Sequence, residues 1–165
     1  METFFNPLSV AIVGATEKPG SLPGIILKNL LSMGFKGKMY PVNPKYETVF
    51  GLNCFPSILD IPDEVALTVI AIPAPWVLDV LQQQAHKRIR HAIIISAGFR
   101  EKGAEGIEME ERIRRVAIEN DMRILGPNCL GVLDNYTNFT TSFLSWERVS
   151  IPKKGSLSIL SQSGA

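Results

Sequence analysis

The chain has 165 residues, of which 45% are hydrophobic, and this is enough to bury one substantial core in a single domain of ordinary size. Seventeen basic and sixteen acidic side chains leave a net charge of +1, so we expect neither nucleic acid nor an anionic membrane as a partner. No apolar run is long enough to span a membrane and no signal peptide opens the chain, which makes the cytoplasm the expected compartment. Cys54 and Cys129 are too few and too far apart to indicate a disulfide framework or a metal site, and Cys129 is expected to be a buried small hydrophobe.

Strand patterns and helical patterns alternate along the sequence. The apolar, β-branched runs predict strands at 9–13, 38–42, 66–72, 92–96 and 122–125. The helical spacing of apolar residues predicts helices at 22–33, 75–90 and 105–120, and Gly34 is placed to end the first of them. Continuous apolar strands separated by helices predict an α/β fold, a Rossmann-like doubly wound parallel sheet with helices on both faces.

Small residues and prolines follow all five predicted strands. Such residues let a ligand approach the backbone closely while the loops stay rigid. Ligands of parallel sheets bind beyond the carboxyl ends of the strands, so five such loops at one edge predict a lined cleft. The loops are Gly14-Ala15-Thr16, Asn43-Pro44-Lys45, Pro73-Ala74-Pro75, Ser96-Ala97-Gly98 and Gly126-Pro127-Asn128.

The first of these loops indicates a nucleotide. A glycine-rich turn runs from Gly14 to Ser21 and leads into a helix, whose unpaired N–H groups suit a phosphate. Proteins that bind NAD place Asp or Glu about 20 residues further on to bind a ribose hydroxyl pair. Here the second strand is followed by Lys45, a cation that suits a phosphate on the ribose. NADP and coenzyme A both carry such a phosphate, and the loop alone leaves both open.

Six motifs in order, spread over essentially the whole chain, resemble the amino-terminal coenzyme A-binding domain of the NDP-forming (ADP-forming) acyl-CoA synthetases, related to the α subunit of succinyl-CoA synthetase. They are SVAIVGATEKPGS, YPVNPK, IAIPAP, IIISAGF, GPNCLG and ILSQSGA. The resemblance implies coenzyme A or acyl-CoA as the ligand, with its phosphates at 16–21 and its phosphorylated adenosine end at Lys45. It also implies a wall against the adenine or ribose at 73–75, a pantetheine path past 95–97, and the thiol end near Asn128. The candidate binding residues are Gly14, Thr16, Lys18, Gly20, Ser21, Asn43, Lys45, Pro73, Ala74, Pro75, Ser96, Ala97, Gly98 and Asn128.

The family's reaction, by the same resemblance, passes through a phosphohistidine on a second domain and uses ATP bound to an ATP-grasp domain. We expect residues 1–150 to form the coenzyme A-binding domain. We expect 151–165 to be a linker followed by a strand at 157–160 and the phosphate turn of the second domain. His86 and His91 are expected at the surface and not as the phosphohistidine, so the chain should lack catalytic residues and be inactive without the remaining synthetase domains or subunit.

Two other functions remain open from the sequence. The same fold could act as a stand-alone coenzyme A-binding or regulatory module. An NADP-dependent oxidoreductase half is less favoured, because Tyr40, Tyr46 and Tyr136 each lack the helical lysine four residues later that a Tyr–Lys acid pair would need.

Overall fold

The computed structural model describes residues 1–146 and 149–161. Five strands form the main sheet: β1 (Ser9–Val13), β2 (Lys38–Val42), β5 (Leu67–Ile70), β6 (His91–Ile94) and β7 (Arg123–Leu125). Three α-helices accompany them: α1 (Leu22–Met33), α2 (Val77–His86) and α3 (Ala104–Glu119). The described residues also form two short hairpins, β3 (Thr48–Val49) with β4 (Leu52–Asn53), and β8 (Leu133–Asp134) with β9 (Phe139–Thr140).

The main sheet has the strand order β2-β1-β5-β6-β7, and every pair in it is parallel. The chain moves from β1 to β2 in one direction and then from β5 through β6 to β7 in the other. The direction of winding therefore reverses between β1 and β5, and right-handed crossovers put α1 on one face and α2 with α3 on the other. The predicted doubly wound parallel sheet with helices on both faces is confirmed.

Two hydrophobic clusters lie on the two faces of the sheet. Along β1, Val10 and Ile12 belong to the cluster that contains the buried side chains of α1, whereas Ala11 and Val13 belong to the cluster under α2 and α3. All five residues of β1 are buried, as expected for a central strand that is covered on both sides.

The first helix has the boundaries that its sequence predicts. Pro23 lies in its first turn, where a missing N–H costs nothing, and the helix ends at Gly34. Gly34 has a φ of 70°, and the N–H groups of Gly34 and Phe35 donate back to carbonyls of the last turn. This is a left-handed cap that favours glycine.

Other boundaries differ from the predictions for identifiable reasons. The helix predicted at 75–90 begins as the 3-10 turn Ala74–Trp76 and ends at His86, because Arg88 turns the chain with a φ of 60°. Beyond the end of the helix, the carbonyls of Ile89 and His91 accept hydrogen bonds from the Gln84 side-chain amide. The strands predicted at 66–72 and 92–96 are shorter, since the N–H of Ile72 donates to the Ser96 hydroxyl at 3.1 Å instead of to a strand carbonyl.

Two further expectations need correction. His91 is half-buried and not at the surface: its ring packs edge-on against Phe4 with centroids 5.3 Å apart, and burial lowers its pKa. Residues 157–160, predicted to be a strand, pair with no strand among the described residues. Leu157 and Leu160 are 92% and 99% exposed. The segment forms no strand because a strand needs the hydrogen-bonding edge of a neighbour. Most of the predicted phosphate turn, 162–165, lies outside the described residues.

Candidate functional site

Gly14 occupies the point where the winding of the sheet reverses, at the carboxyl end of β1. Its φ is +93°, and a Cβ atom built on it would lie 2.8 Å from the Ala71 carbonyl oxygen and 2.8 Å from the Ile72 side chain. A glycine is therefore required where the chain leaves β1 beside the end of β5. This crevice is where sheets of this topology bind nucleotides.

The first loop, residues 14–21, ends at the amino terminus of α1. Within the described contacts, Ser21 at the N-cap position makes no capping bond with its side chain, because its hydroxyl donates to the Lys18 carbonyl at 2.8 Å. The helix also packs tightly on this loop: a Cβ on Gly24 would lie 2.4 Å from the Thr16 carbonyl oxygen. Lys18 and Gly20 are exposed beside the start of the helix. The first loop thus brings the positive end of a helix dipole next to a cation, a combination that suits an anion.

The second loop, residues 43–47, is fastened to the first loop by side-chain contacts. The Asn43 amide donates to the Ala15 carbonyl at 2.9 Å, and its oxygen accepts the Lys45 N–H at 3.0 Å. Thr16 Oγ1 and Tyr46 Oη are hydrogen-bonded at 3.1 Å. Lys45 itself is exposed. The structure therefore places the predicted ribose-phosphate cation on a loop that adjoins the predicted phosphate loop.

A third contact joins the first loop to the β3–β4 turn, which follows the second loop in the chain. The Glu17 carboxylate accepts the N–H of Phe50, a residue in the β3–β4 turn with a φ of 49°. Sequence reasoning missed both Tyr46 and Glu17 as parts of the site. No local signal could have identified them, because their partners lie 30 and 33 residues away in the chain.

A cleft of about 430 Å³ lies between the loops that follow β5 and β6 and the start of α3. Five of the predicted residues line it together: Pro73, Ala74, Pro75, Ala97 and Gly98. Its remaining lining comes from Lys102, Glu105, Gly106 and Met109. Small and ring-shaped apolar groups from two loops, with one lysine at the side, can accommodate a flat, partly apolar ligand group.

Glu101 holds the β6 side of this cleft in place. Its two carboxylate oxygens accept the backbone N–H groups of Gly98 and Phe99, and the bond from Gly98 holds the pKa of Glu101 below its usual value. Gly98 has a φ of +108°, and Phe99 is 1% exposed, so one side of this loop is anchored in the core. Glu101 was not predicted, and its role follows only from the geometry of the turn.

Ser96 and Asn128 connect the ends of three strands. Ser96 is 7% exposed, accepts the Ile72 N–H with its hydroxyl, and accepts the Asn128 N–H with its carbonyl at 3.0 Å. Asn128 is exposed and has a φ of 53°. The neighbouring Cys129 is half-buried, its thiol lies 3.5 Å from the Ile94 carbonyl oxygen, and burial raises the pKa of that thiol. Such a thiol is a poor nucleophile at neutral pH.

The predicted residues fall into two groups at the carboxyl edge. One group surrounds the amino terminus of α1, and the other lines the cleft between β5 and β6. Gly14 lies between the two groups, because β1 separates β2 from β5 in the sheet. The first group is Thr16, Lys18, Gly20, Ser21, Asn43 and Lys45, and the second is Pro73, Ala74, Pro75, Ala97 and Gly98, with Ser96 beneath it and Asn128 beyond it.

A family model described as CoA binding domain matches residues 8–135. The chain belongs to this family of coenzyme A-binding domains. Of the two cofactors that Lys45 left open, coenzyme A is therefore confirmed as the ligand.

Acetate–CoA ligase (ADP-forming) II from Archaeoglobus fulgidus is 44% identical over 165 residues, which make up 99% of this chain and 24% of that protein. The α subunit of acetate–CoA ligase (ADP-forming) II from Pyrococcus furiosus is 37% identical, over 100% of this chain and 35% of the subunit. The chain thus spans about a quarter to a third of the length of these relatives.

Solved structures support the same fold. A crystal structure of a Pyrococcus horikoshii protein superimposes with a TM-score of 0.90 at 39% identity, covering 99% of this chain and 36% of that one. The dinucleotide forming acetyl-coenzyme A synthetase 1 of Ca. Korarchaeum cryptofilum, in complex with phosphate and ADP, has a TM-score of 0.82 at 41% identity. That match covers 86% of this chain and 30% of the synthetase. In the described part of this chain, no helix is both long and apolar enough to cross a membrane.

Proposed function

We propose that coenzyme A lies along the carboxyl edge of the sheet and uses both groups of residues at once. Its pyrophosphate binds at the first loop and the amino terminus of α1, and its ribose phosphate meets Lys45. Its adenosine packs against 73–75, and its pantetheine arm passes 96–98 toward Asn128. The observation that carries this arrangement is the fastening of Lys45's loop to the first loop through Asn43 and Tyr46. Two cationic features held side by side suit one ligand that carries two separate phosphate groups.

For the complete protein we propose an ADP-forming acyl-CoA synthetase, which converts an acid, ATP and coenzyme A into acyl-CoA, ADP and phosphate. The support is the identity of 44% to a relative named acetate–CoA ligase (ADP-forming), extending over 99% of this chain. This chain supplies the binding site for the acceptor thiol. A domain with the phosphohistidine and an ATP-grasp domain, on the same polypeptide or on a partner subunit in the cytoplasm, supply the rest of the reaction.

A stand-alone coenzyme A-binding module is the second candidate, and one observation favours it. A conserved hypothetical protein from Pyrococcus furiosus superimposes with a TM-score of 0.57 at 29% identity, and this chain covers 90% of it. A fold of this kind therefore also occurs in a protein little larger than the matched region. The gene sequence beyond residue 165 separates the candidates: a histidine-bearing second domain followed by an ATP-grasp region supports the synthetase.

Calorimetry with coenzyme A and dephospho-CoA tests the binding arrangement. Lys45→Ala should weaken coenzyme A binding about tenfold to hundredfold, which corresponds to the loss of about 1–3 kcal/mol for a charge-assisted contact. It should barely change the binding of dephospho-CoA, which lacks the ribose phosphate. Added salt should narrow the difference between the two ligands in the wild-type chain. Lys36→Ala is the matched control, since this exposed lysine precedes β2 at the opposite edge of the sheet.

The outcomes that contradict the arrangement are distinct from one another. Equal losses for both ligands in Lys45→Ala would mean that Lys45 contacts the pyrophosphate or has a structural role. No loss for either ligand would make Lys45 an ordinary exposed lysine. Binding of NADPH without binding of coenzyme A would contradict the proposal as a whole.

A further inference from the structure

The hydrogen bond between Tyr46 and Thr16 joins the two loops of the proposed phosphate site. Thr16 is 9% exposed, and its hydroxyl both accepts the Lys18 N–H at 3.2 Å and bonds to Tyr46 Oη at 3.1 Å. Tyr46 is 42% exposed and directly follows Lys45. The phenol therefore reaches across from the second loop to a residue that is fixed within the first.

Lys45 is held from both sides by contacts to the first loop. On one side, Asn43 donates to the Ala15 carbonyl at 2.9 Å. On the other side, Tyr46 is bonded to Thr16, and its N–H donates to the Asn43 carbonyl at 3.4 Å. The position of the Lys45 backbone relative to the first loop thus depends on two independent side-chain bonds.

We propose that Tyr46 is a positioning residue that sets the selectivity for coenzyme A over dephospho-CoA without touching the ligand. The inference rests on the proposed function, in which the first loop takes the pyrophosphate and Lys45 takes the ribose phosphate. Once one phosphate group is bound, the second contact forms within the complex, and its benefit depends on how well the second loop is held at the right distance. The Tyr46–Thr16 bond restricts that distance. Its loss reduces the benefit of the second contact and leaves the first contact in place.

Tyr46→Phe tests this role, because it removes one hydroxyl and keeps the ring. Tyr136→Phe is the matched control: Tyr136 lies between β8 and β9, is also exposed, and donates with its hydroxyl to the Gly155 carbonyl at 3.2 Å. Calorimetry should measure Kd for coenzyme A and dephospho-CoA in the wild type, in both tyrosine variants, in Lys45→Ala and in the Lys45→Ala/Tyr46→Phe double variant. Thermal unfolding of each variant checks that the fold is retained.

Tyr46→Phe should weaken coenzyme A binding about threefold to tenfold, the size expected for one neutral hydrogen bond, and dephospho-CoA binding less than about twofold. Tyr136→Phe should leave both constants unchanged. In the Lys45→Ala background, Tyr46→Phe should have no further effect on coenzyme A, because the contact that it positions is already lost.

Four results would overturn the inference. Equal weakening of both ligands by Tyr46→Phe would mean that the bond serves only the first loop, and additive losses in the double variant would mean that Tyr46 acts independently of Lys45. A Tyr46→Phe variant that binds both ligands with wild-type affinity would show that the bond positions nothing. A Lys45→Ala substitution that weakens both ligands equally, or neither of them, contradicts the proposed role of Lys45 itself, and with it the role of Tyr46, so the two failures are distinguished by which variant shows them.

Discussion

Gly24→Ala should separate the geometry of the first loop from the stability of the helix that follows it. An alanine in an unhindered helix stabilises a protein by about 0.5–1 kcal/mol relative to glycine. At this position the added Cβ would lie 2.4 Å from the Thr16 carbonyl oxygen and 2.5 Å from Ser21 Oγ, whereas ordinary contacts begin at 3.4 Å. Relieving an overlap of about 1 Å with backbone costs about 1–3 kcal/mol. The expected net effect is a loss of about 1–2 kcal/mol, with the amino terminus of α1 displaced from the first loop.

Urea denaturation and calorimetry check both parts of this expectation. Gly34→Ala is the control at the other end of the same helix: its φ of 70° makes the substitution strained, but no atom lies within 4 Å of the new Cβ. Both variants should lose similar stability. Gly24→Ala should also weaken the binding of coenzyme A and of dephospho-CoA, both by the same factor, whereas Gly34→Ala should leave both affinities unchanged. A stabilised Gly24→Ala variant would refute the tight packing of α1 on Thr16. Equal losses of affinity in both variants would show that binding follows stability and not this contact.

Two further predictions concern groups away from the ligand edge. The Tyr40 hydroxyl, 2.6 Å from the Asp63 carboxylate, and the neighbouring Lys38 hold the pKa of Asp63 below its usual 3.8. The ionised Asp63 therefore stabilises the fold fully above pH 3.8, and this stabilisation is lost as the pH falls through the pKa that Asp63 has in the folded protein. The stability difference between the wild type and Asp63→Asn in urea should therefore be largest near neutral pH and vanish in acid; a difference independent of pH would contradict it. Gln84→Met should cost about 1–3 kcal/mol in urea denaturation, since the buried Thr68 hydroxyl and two backbone carbonyls lose the Gln84 amide. The exposed neighbour Gln82→Met should stay within about 0.5 kcal/mol of the wild type.

The elements that the sequence predicts to the residue are those whose signals are entirely local. The strand β1 is a continuous apolar run, and α1 carries a proline in its first turn and Gly34 at its end. The ends of β5 and β6 are different, because the bond from the Ile72 N–H to the Ser96 hydroxyl joins residues 24 positions apart. No periodicity within either segment indicates such a bond. The two short hairpins, with two residues in each strand, are also too short to produce a recognisable pattern.

The position of the proposed site is a prediction that the sheet topology supports. Parallel strands end at one edge, and the small residues after each predicted strand indicate that edge from the sequence alone. The structure adds the contacts between loops that Tyr46 and Glu17 make, and the local turn contacts of Glu101. Tyrosine and glutamate occur throughout protein surfaces, so their identity alone carries no information about the site.

Residue type suggests what chemistry a position can perform, but its neighbours decide which polar atoms are free to perform it. The sequence predicts Asn43 and Ser96 as ligand contacts, yet their side chains already bond to the Ala15 carbonyl and to the N–H groups of Lys45 and Ile72. An atom that is engaged in this way gains little by exchanging a protein partner for a ligand partner, since one hydrogen bond replaces another. We therefore expect Asn43 and Ser96 to act on coenzyme A through the loops that they hold together. The direct contacts in the proposed arrangement fall instead to exposed groups such as Lys45.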